Sequence, residues 1–294
     1  MGLIRNLWRG YRGGPNFACA QWQSFVIGEQ LLQLHLPNTP FYTRQELRPE
    51  RYPIDEQGWF EAHKKQLLHH HYVHLITKIW PFGYAIPIPF PGADQEVGQL
   101  SFQAQLKQVP EQAKMDAFDL ERLGQLECLS REAHYWGEPP PEDAESQRGW
   151  QGANTRLKRE CLDDFHHYQS FYPSLEAYID ECIAVYGYPP IHPEVREVAG
   201  RQFVFYIEGR GRQQYDRTYC LPLTSRYYLL LSFRHDVMGC SQRIQQAALA
   251  AEQRILSEMS LGQMVAERPP SHGELGEQRS RIVDAQEVTL VDGR

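Results

Sequence analysis

Residues 63–74, HKKQLLHHHYVH, hold five of the chain's twelve histidines. Imidazole is the side chain best suited to ligate a metal or to change charge near neutral pH. On a helix, at 100° per residue, the run sorts its side chains by direction. Leu68, Tyr72, Leu75, Ile76 and Ile79 gather on one side as an expected core stripe, and His63, His70 and His74 fall on the opposite face. His70 and His74 are spaced i, i+4, which can hold one metal ion. His63 lies two turns back, roughly 10 Å along the axis, too far to be a third ligand. The zinc-protease pattern also needs Glu directly after the first His, where this chain has His71. A third ligand would have to come from Asp163, Asp164, His166 or His167, whose types also suit general acid and base work. One reading of the chain is therefore a metal- or acid/base-dependent enzyme that uses His70 and His74 with the 163–167 cluster. The others are a pH-sensitive or partner-facing histidine surface and a merely solvated helix face.

Other catalytic patterns are missing: the sequence has no GxSxG elbow, no phosphate-cradling glycine loop and no dinucleotide fingerprint. No cofactor is called for. What the second half offers instead is tyrosine and arginine. Tyr206, Arg210, Arg212, Tyr215, Arg217, Tyr219, Arg226, Tyr227 and Tyr228 crowd one stretch of expected strands. Antiparallel sheets commonly leave one face exposed, and Tyr with Arg is the composition of interface hot spots. The alternation Tyr227, Leu229, Leu231, Phe233 marks the core face, which leaves Tyr228 and Arg234 for the exposed one. The expected partner-binding residues are Tyr206, Arg210, Arg212, Arg217, Tyr228 and Arg234, with His63, His70 and His74.

Composition narrows the partner. A formal charge of −7 over 294 residues, with no basic run, argues against nucleic acid, because phosphate neutralisation needs a basic face. No segment approaches the roughly 18–20 apolar residues of a membrane span, and the opening MGLIRNLWRGYRGG has no apolar stretch of signal-peptide length. The chain is expected to be soluble and cytoplasmic. Its cysteines, at 19, 128, 161, 182, 220 and 240, are spread singly without a CxxC pair and are expected to be reduced and mostly buried.

These residues need elements to hold them. QSFVIGEQLLQLHLPN alternates as a hairpin. A helix is expected over 55–79, ended by Pro-Phe-Gly, then an edge segment at 84–89, a strand at 97–109 and a helix over 114–134 carrying Phe118, Leu120, Leu123, Leu126 and Leu129 on its apolar side. Pro, Gly and acidic residues make 137–154 a long loop or linker. Helices follow over 155–172 and 174–186, with Ser174 at the N-cap and Gly187 at the stop. QFVFYIEGRGRQQYDRTYCLPLTSRYYLLLSFRH reads as three antiparallel strands turning first at Gly209-Arg210-Gly211. A helix over 241–259 and a polar tail over 263–294 complete the reading.

Both halves run helix, turn, strands, helix. Local echoes suggest an internal duplication: His70-His71-Tyr72 with His166-His167-Tyr168, Gly83-Tyr84 with Gly187-Tyr188, and Glu96-Val97-Gly98 with Glu197-Val198-Ala199-Gly200. The expected fold is α+β in two lobes, 1–136 and 155–262, each an antiparallel sheet packed with helices.

Residues 25–37, FVIGEQLLQLHLP, resemble the opening strand of immunity proteins that neutralise type VI secretion lipase effectors. The close of the chain, YYLLLSF followed by a helix finishing ILSEMSL, is similar to the end of Mog1/PsbP-like domains, a fold also used by type VI effector chaperones. This resemblance implies a non-catalytic protein that grips a toxin or effector in the bacterial cytoplasm, as an immunity protein or an effector-loading accessory.

Overall fold

The apolar run YYLLLSF lies at the middle of the larger of two sheets in the computed structural model, which describes residues 2–39, 51–67, 70–85, 96–139, 151–211, 214–237 and 239–263. The chain opens with helix α1 (Gly2–Arg9) and strand β1 (Tyr11–Gly13), then a hairpin of β2 (Ala20–Ile27) and β3 (Gln30–Pro37). Short pieces β4 (Arg51–Tyr52), α2 (Trp59–His63) and β5 (Lys65–Leu67) lead to two long strands, β6 (His70–Tyr84) and β7 (Glu96–Gln108). Three helices follow: α3 (Leu120–Trp136), α4 (Ala153–Tyr168) and α5 (Leu175–Tyr186). Strands β8 (Glu194–Val198), β9 (Arg201–Arg210), β10 (Gln214–Pro222) and β11 (Tyr227–Asp236) come next, then α6 (Gln242–Glu258) and β12 (Ser260–Gln263).

The larger sheet has the order β1-β6-β7-β11-β10-β9-β8, and β5 shares the outer edge of β6 with β1, one at each end of that strand. The smaller sheet runs β12-β3-β2-β4, with β2 and β3 antiparallel about Gly28, whose φ of +58° suits a residue without Cβ. The fold is α+β, its sheets largely antiparallel and packed with helices.

Strand β11 shows why a near-continuous apolar run is needed at the sheet's centre. Its odd positions, Leu229, Leu231 and Phe233, join Phe102, Leu106, Phe205 and Tyr219 in a core shared with the smaller sheet and α6. Its even positions, Tyr228 and Leu230, join Val204, Tyr206 and Cys220 against Leu123 of α3. Each fully buried Leu or Phe contributes on the order of 1.5–3 kcal/mol, so both coverings are strongly held. Helices α4 and α5 close a third, smaller cluster around Cys161, Tyr178, Ile179 and Ile183.

Three expectations are corrected. The sheets do not divide at the middle of the chain: β7 of the first half pairs with β11 of the second from Gln99–Asp236 through Gln108–Tyr227. Met1–Leu261 forms one compact unit; of the other, Gly262–Arg294, only the first two residues are described. The 137–154 stretch, described at its ends alone, joins two helices that lie side by side: the Gly152 amide donates to the His134 carbonyl at 2.8 Å, and the Thr155 hydroxyl to that of Trp136 at 2.8 Å. The duplication is not seen either, because its echoes occupy unlike elements. His70-His71-Tyr72 begins a strand, whereas His166-His167-Tyr168 ends a helix.

The third correction concerns the opening histidines. Where one helix is expected over 55–79, only Trp59–His63 is helical, and β5 and β6 form a hairpin. The pairing of β6 with β7 jumps from His74–Gln105 to Ile76–Ala104, leaving Leu75 as an extra residue. A β-bulge of this kind puts two adjacent apolar residues on buried ground, and Leu75 and Ile76 are both buried. The resulting spacing, Tyr72, Leu75, Ile76, Ile79, imitates a helical stripe. The helices over 155–172 and 241–259 hold to within a few residues, and that over 114–134 starts late, at Leu120, where Asp119 accepts from the Arg122 amide at 3.2 Å as its cap. Ser174 caps α5 as expected, accepting from Ala177 at 3.2 Å. The edge segment at 84–89 and the tail lie almost wholly outside the described residues.

Candidate functional site

Tyr206, Tyr228 and Arg217, expected on an open sheet face, are inside the protein together with Tyr219 and Tyr227, whereas Arg210, Arg226 and Arg234 stay exposed. Helix α3 aims Glu127, Arg131 and Tyr135, spaced i, i+4, i+8, at the sheet. Glu127 is fully buried and receives three donors: Lys107 Nζ at 2.5 Å, the Tyr228 hydroxyl at 2.6 Å and the Tyr206 hydroxyl at 2.8 Å. Burial opposes its charge, but Lys107 and Arg131, with the bonds from Lys107 and Tyr228, prevail and hold the carboxyl well below its ordinary range. The chain of charge continues along α3, with Arg131 Nη1 3.2 Å from Glu208, which also accepts from the Tyr135 hydroxyl. Tyr135 stacks on Tyr188, centroids 4.1 Å apart.

The other face of the same strands repeats the arrangement with α6. Glu252 is fully buried and takes Arg217 Nε at 2.8 and 2.9 Å, the Tyr219 hydroxyl at 2.6 Å and His235 Nε2 at 2.5 Å. Burial again opposes ionisation, and bonds from His235, Tyr219 and Arg217 together with the Arg217 charge lower the pKa. Strand alternation explains the two sites: on β10, Thr218 and Cys220 look toward α3, and Arg217 and Tyr219 toward α6. With both oxygens of each carboxylate engaged, these are clamps between helix and sheet.

The remaining expected residues are dispersed. Arg234 forms a bidentate pair with Asp216 at 2.8 Å to each oxygen, and exposed Arg210 donates to the Tyr186 carbonyl at 3.0 Å. Arg212 lies outside the described residues. His63 ends α2, its ring stacked on Trp59 at 4.6 Å and its Nδ1 donating to the Trp59 carbonyl at 2.8 Å. His74 Nε2 is 3.4 Å from the Thr77 hydroxyl. On a strand, positions 70 and 74 are about 13 Å apart along the backbone, so the i, i+4 metal geometry does not arise. Asp163, Asp164, His166 and His167 lie exposed on α4, with His166 Nδ1 donating to the Asp163 carbonyl at 2.9 Å. Among the described residues, no three His, Cys, Asp or Glu side chains come together as a metal would require. No described helix is long and apolar enough to cross a membrane.

Among the described residues, half of the large apolar side chains that the structure exposes lie on or beside the three middle helices. Phe118 just before α3, Leu129 and Trp136 along it, Leu162 and Tyr168 on α4, Phe171 just beyond it and Tyr186 on α5 all stand open to solvent, with Phe171 78% exposed. Phe118 and Leu129 are thus not the core of α3, as their place in the apolar list suggested; Leu123 is. The sequence carried a signal for this within α3, since an offset of 7 residues puts 129 and 136 within about 20° on one helical face. Between α4 and α5 lies a cleft of about 480 Å³, with Arg156, Glu160, Asp164 and Arg210 among its polar lining and Cys161, Tyr178 and Cys182 among the rest. No known protein family, curated protein or solved structure matches this chain.

Proposed function

We propose that this chain is a non-catalytic protein-binding module of the bacterial cytoplasm, an immunity protein or effector-loading accessory of a type VI secretion system. The observation that carries the binding role is the set of seven large apolar side chains left exposed on α3, α4 and α5 and in the turns beside α3 and α4. Contiguous apolar groups mark interaction surfaces, whereas scattered ones need no explanation, and these seven are taken as one surface. The partner surface therefore moves from the β9–β11 sheet face to the helical layer. The inward consumption of Tyr206, Tyr228 and Arg217 supports a structural use for the polar groups that would otherwise suggest chemistry. The type VI assignment rests on the resemblance of residues 25–37 and of the YYLLLSF and ILSEMSL segments.

The test is co-expression of the full chain with each product of the adjacent genes, followed by gel filtration. A stable complex with a secreted effector is expected, lost when Leu162→Asp and Phe171→Asp are combined and unchanged by His74→Ala. Surface substitutions of this kind shift stability by only about 0.5 kcal/mol, so an unchanged melting temperature shows that the fold survives. A complex indifferent to the α4 changes would refute the surface. Stoichiometric zinc, lost with an activity on His74→Ala, would refute the non-catalytic reading.

A further inference from the structure

Two of the six cysteines meet across a helix interface. Cys161 on α4 and Cys182 on α5 belong to one buried cluster with Tyr178, Ile179 and Ile183. Cys182 adds to burial in raising the pKa of the Cys161 thiol and of the Tyr178 hydroxyl. Both thiols also line the α4–α5 cleft, so small solutes reach the pair from one side. The other cysteines are placed differently. The Cys128 and Cys240 thiols donate to the carbonyls of Ile191 and Val97, Cys220 is enclosed against α3, and Cys19 is exposed.

We propose that Cys161 and Cys182 form a reversible disulfide that staples α4 to α5 when a small-molecule disulfide of the oxidised-glutathione type is in excess. Cys182, the less buried of the two at 9% against 3%, attacks the reagent first. Its thiolate displaces one thiolate from the small disulfide and becomes a mixed disulfide. The Cys161 thiolate then attacks the Cys182 sulfur and expels the second. The protein loses two protons and two electrons, and the reagent leaves as two thiols. Thiols on two packed helices that share one buried cluster and one cleft reach bonding geometry by side-chain rotation and a small approach of the helices.

The environment sets the pace of closure. Burial, followed by the hydrogen bond to Cys182, pushes the Cys161 thiol up to about 12, with Glu160 and Asp164 of its own helix adding to the rise. Tyr178 of α5, Arg156 and Arg210 line the same cleft. The thiolate is the nucleophile, so closure is slow at neutral pH and accelerates by roughly tenfold per pH unit above it. The staple answers sustained oxidation, and Tyr186 of the exposed helical layer lines the same cleft.

The experiment uses the reduced full chain, incubated with excess oxidised glutathione across a range of mildly alkaline pH and digested after alkylation. No Lys or Arg lies between Cys161 and Cys182, so one tryptic peptide carries both. Expected is a loss of two hydrogens in that peptide, reversed by reductant, with the rate rising with pH. In Cys161→Ala, a glutathione adduct accumulates at Cys182 instead. The proposal is overturned if both thiols stay reduced while Cys19 reacts, if stable adducts form on both, or if the bridge forms only in unfolded protein. These outcomes are read without a partner, so they stand apart from the fate of the binding role.

Discussion

Replacing Glu127 with Gln removes a charge from the interior while leaving the shape of the side chain. In the native protein the carboxylate meets Lys107 Nζ at 2.5 Å, with both side chains almost fully enclosed. Breaking a buried pair by neutralising one partner strands the other, at a cost of about 3–5 kcal/mol. Tyr206 and Tyr228 can still donate to the amide oxygen, which places Glu127→Gln toward the lower end of that range. Adding Lys107→Met removes the stranded ammonium and restores about 1 kcal/mol or more, the signature of a coupled pair. Urea unfolding followed by circular dichroism measures all four corners of this cycle. If Glu127→Gln costs less than about 1 kcal/mol, or Lys107→Met fails to offset it, the carboxylate is not the clamp that its three donors suggest.

The remaining predictions concern pH, a close backbone approach and a cap. Glu127 and Glu252 both have folded pKa values below the ordinary 4.5, so each stabilises the fold fully above that pH. Their contribution drains away as pH falls through the folded values; acid titration of stability shows a fall that begins below about 4.5, shallower in Glu127→Gln. Gly211 has φ of +56°, and a Cβ there would sit 1.9 Å from the Val185 carbonyl oxygen; Gly211→Ala costs at least about 1–3 kcal/mol of strain, read as a lowered melting temperature. Ser174→Ala removes the acceptor for the Ala177 amide and costs about 1 kcal/mol in the same assay.

The successes and failures of the sequence reading divide by the range of the contacts involved. Hairpins were legible because their determinants are neighbours in the chain. Gly28 and Gly211 supply the positive φ that each turn needs, and alternation on either side supplies the strands. The Ser174 cap and the Gly187 stop were legible for the same reason. The histidine run was misread because a single extra residue, Leu75, converts a period of two into something that resembles 3.6. Nothing local distinguishes the two, and only pairing with β7 decides between them.

The Tyr and Arg residues of β9–β11 failed differently. Their composition is equally that of an interface and of a buried polar clamp. The deciding partners, Glu127 and Glu252, lie on helices as many as 101 residues away. The same distance hid the joining of the two halves, since β7 and β11 are separated by the three middle helices.

Residue order alone determined the α+β composition, the turns, the caps and most helix positions, because dihedral preference and apolar period act within a few residues. Tertiary structure decided the order of the strands, the two-sided burial of the central sheet and the enclosure of its tyrosines. The physical reason is that a buried hydroxyl or charge must find its partner wherever the chain can bring one. That search drew Tyr206, Tyr219, Tyr228 and Arg217 inward and left apolar groups of α3, α4 and α5 facing the solvent.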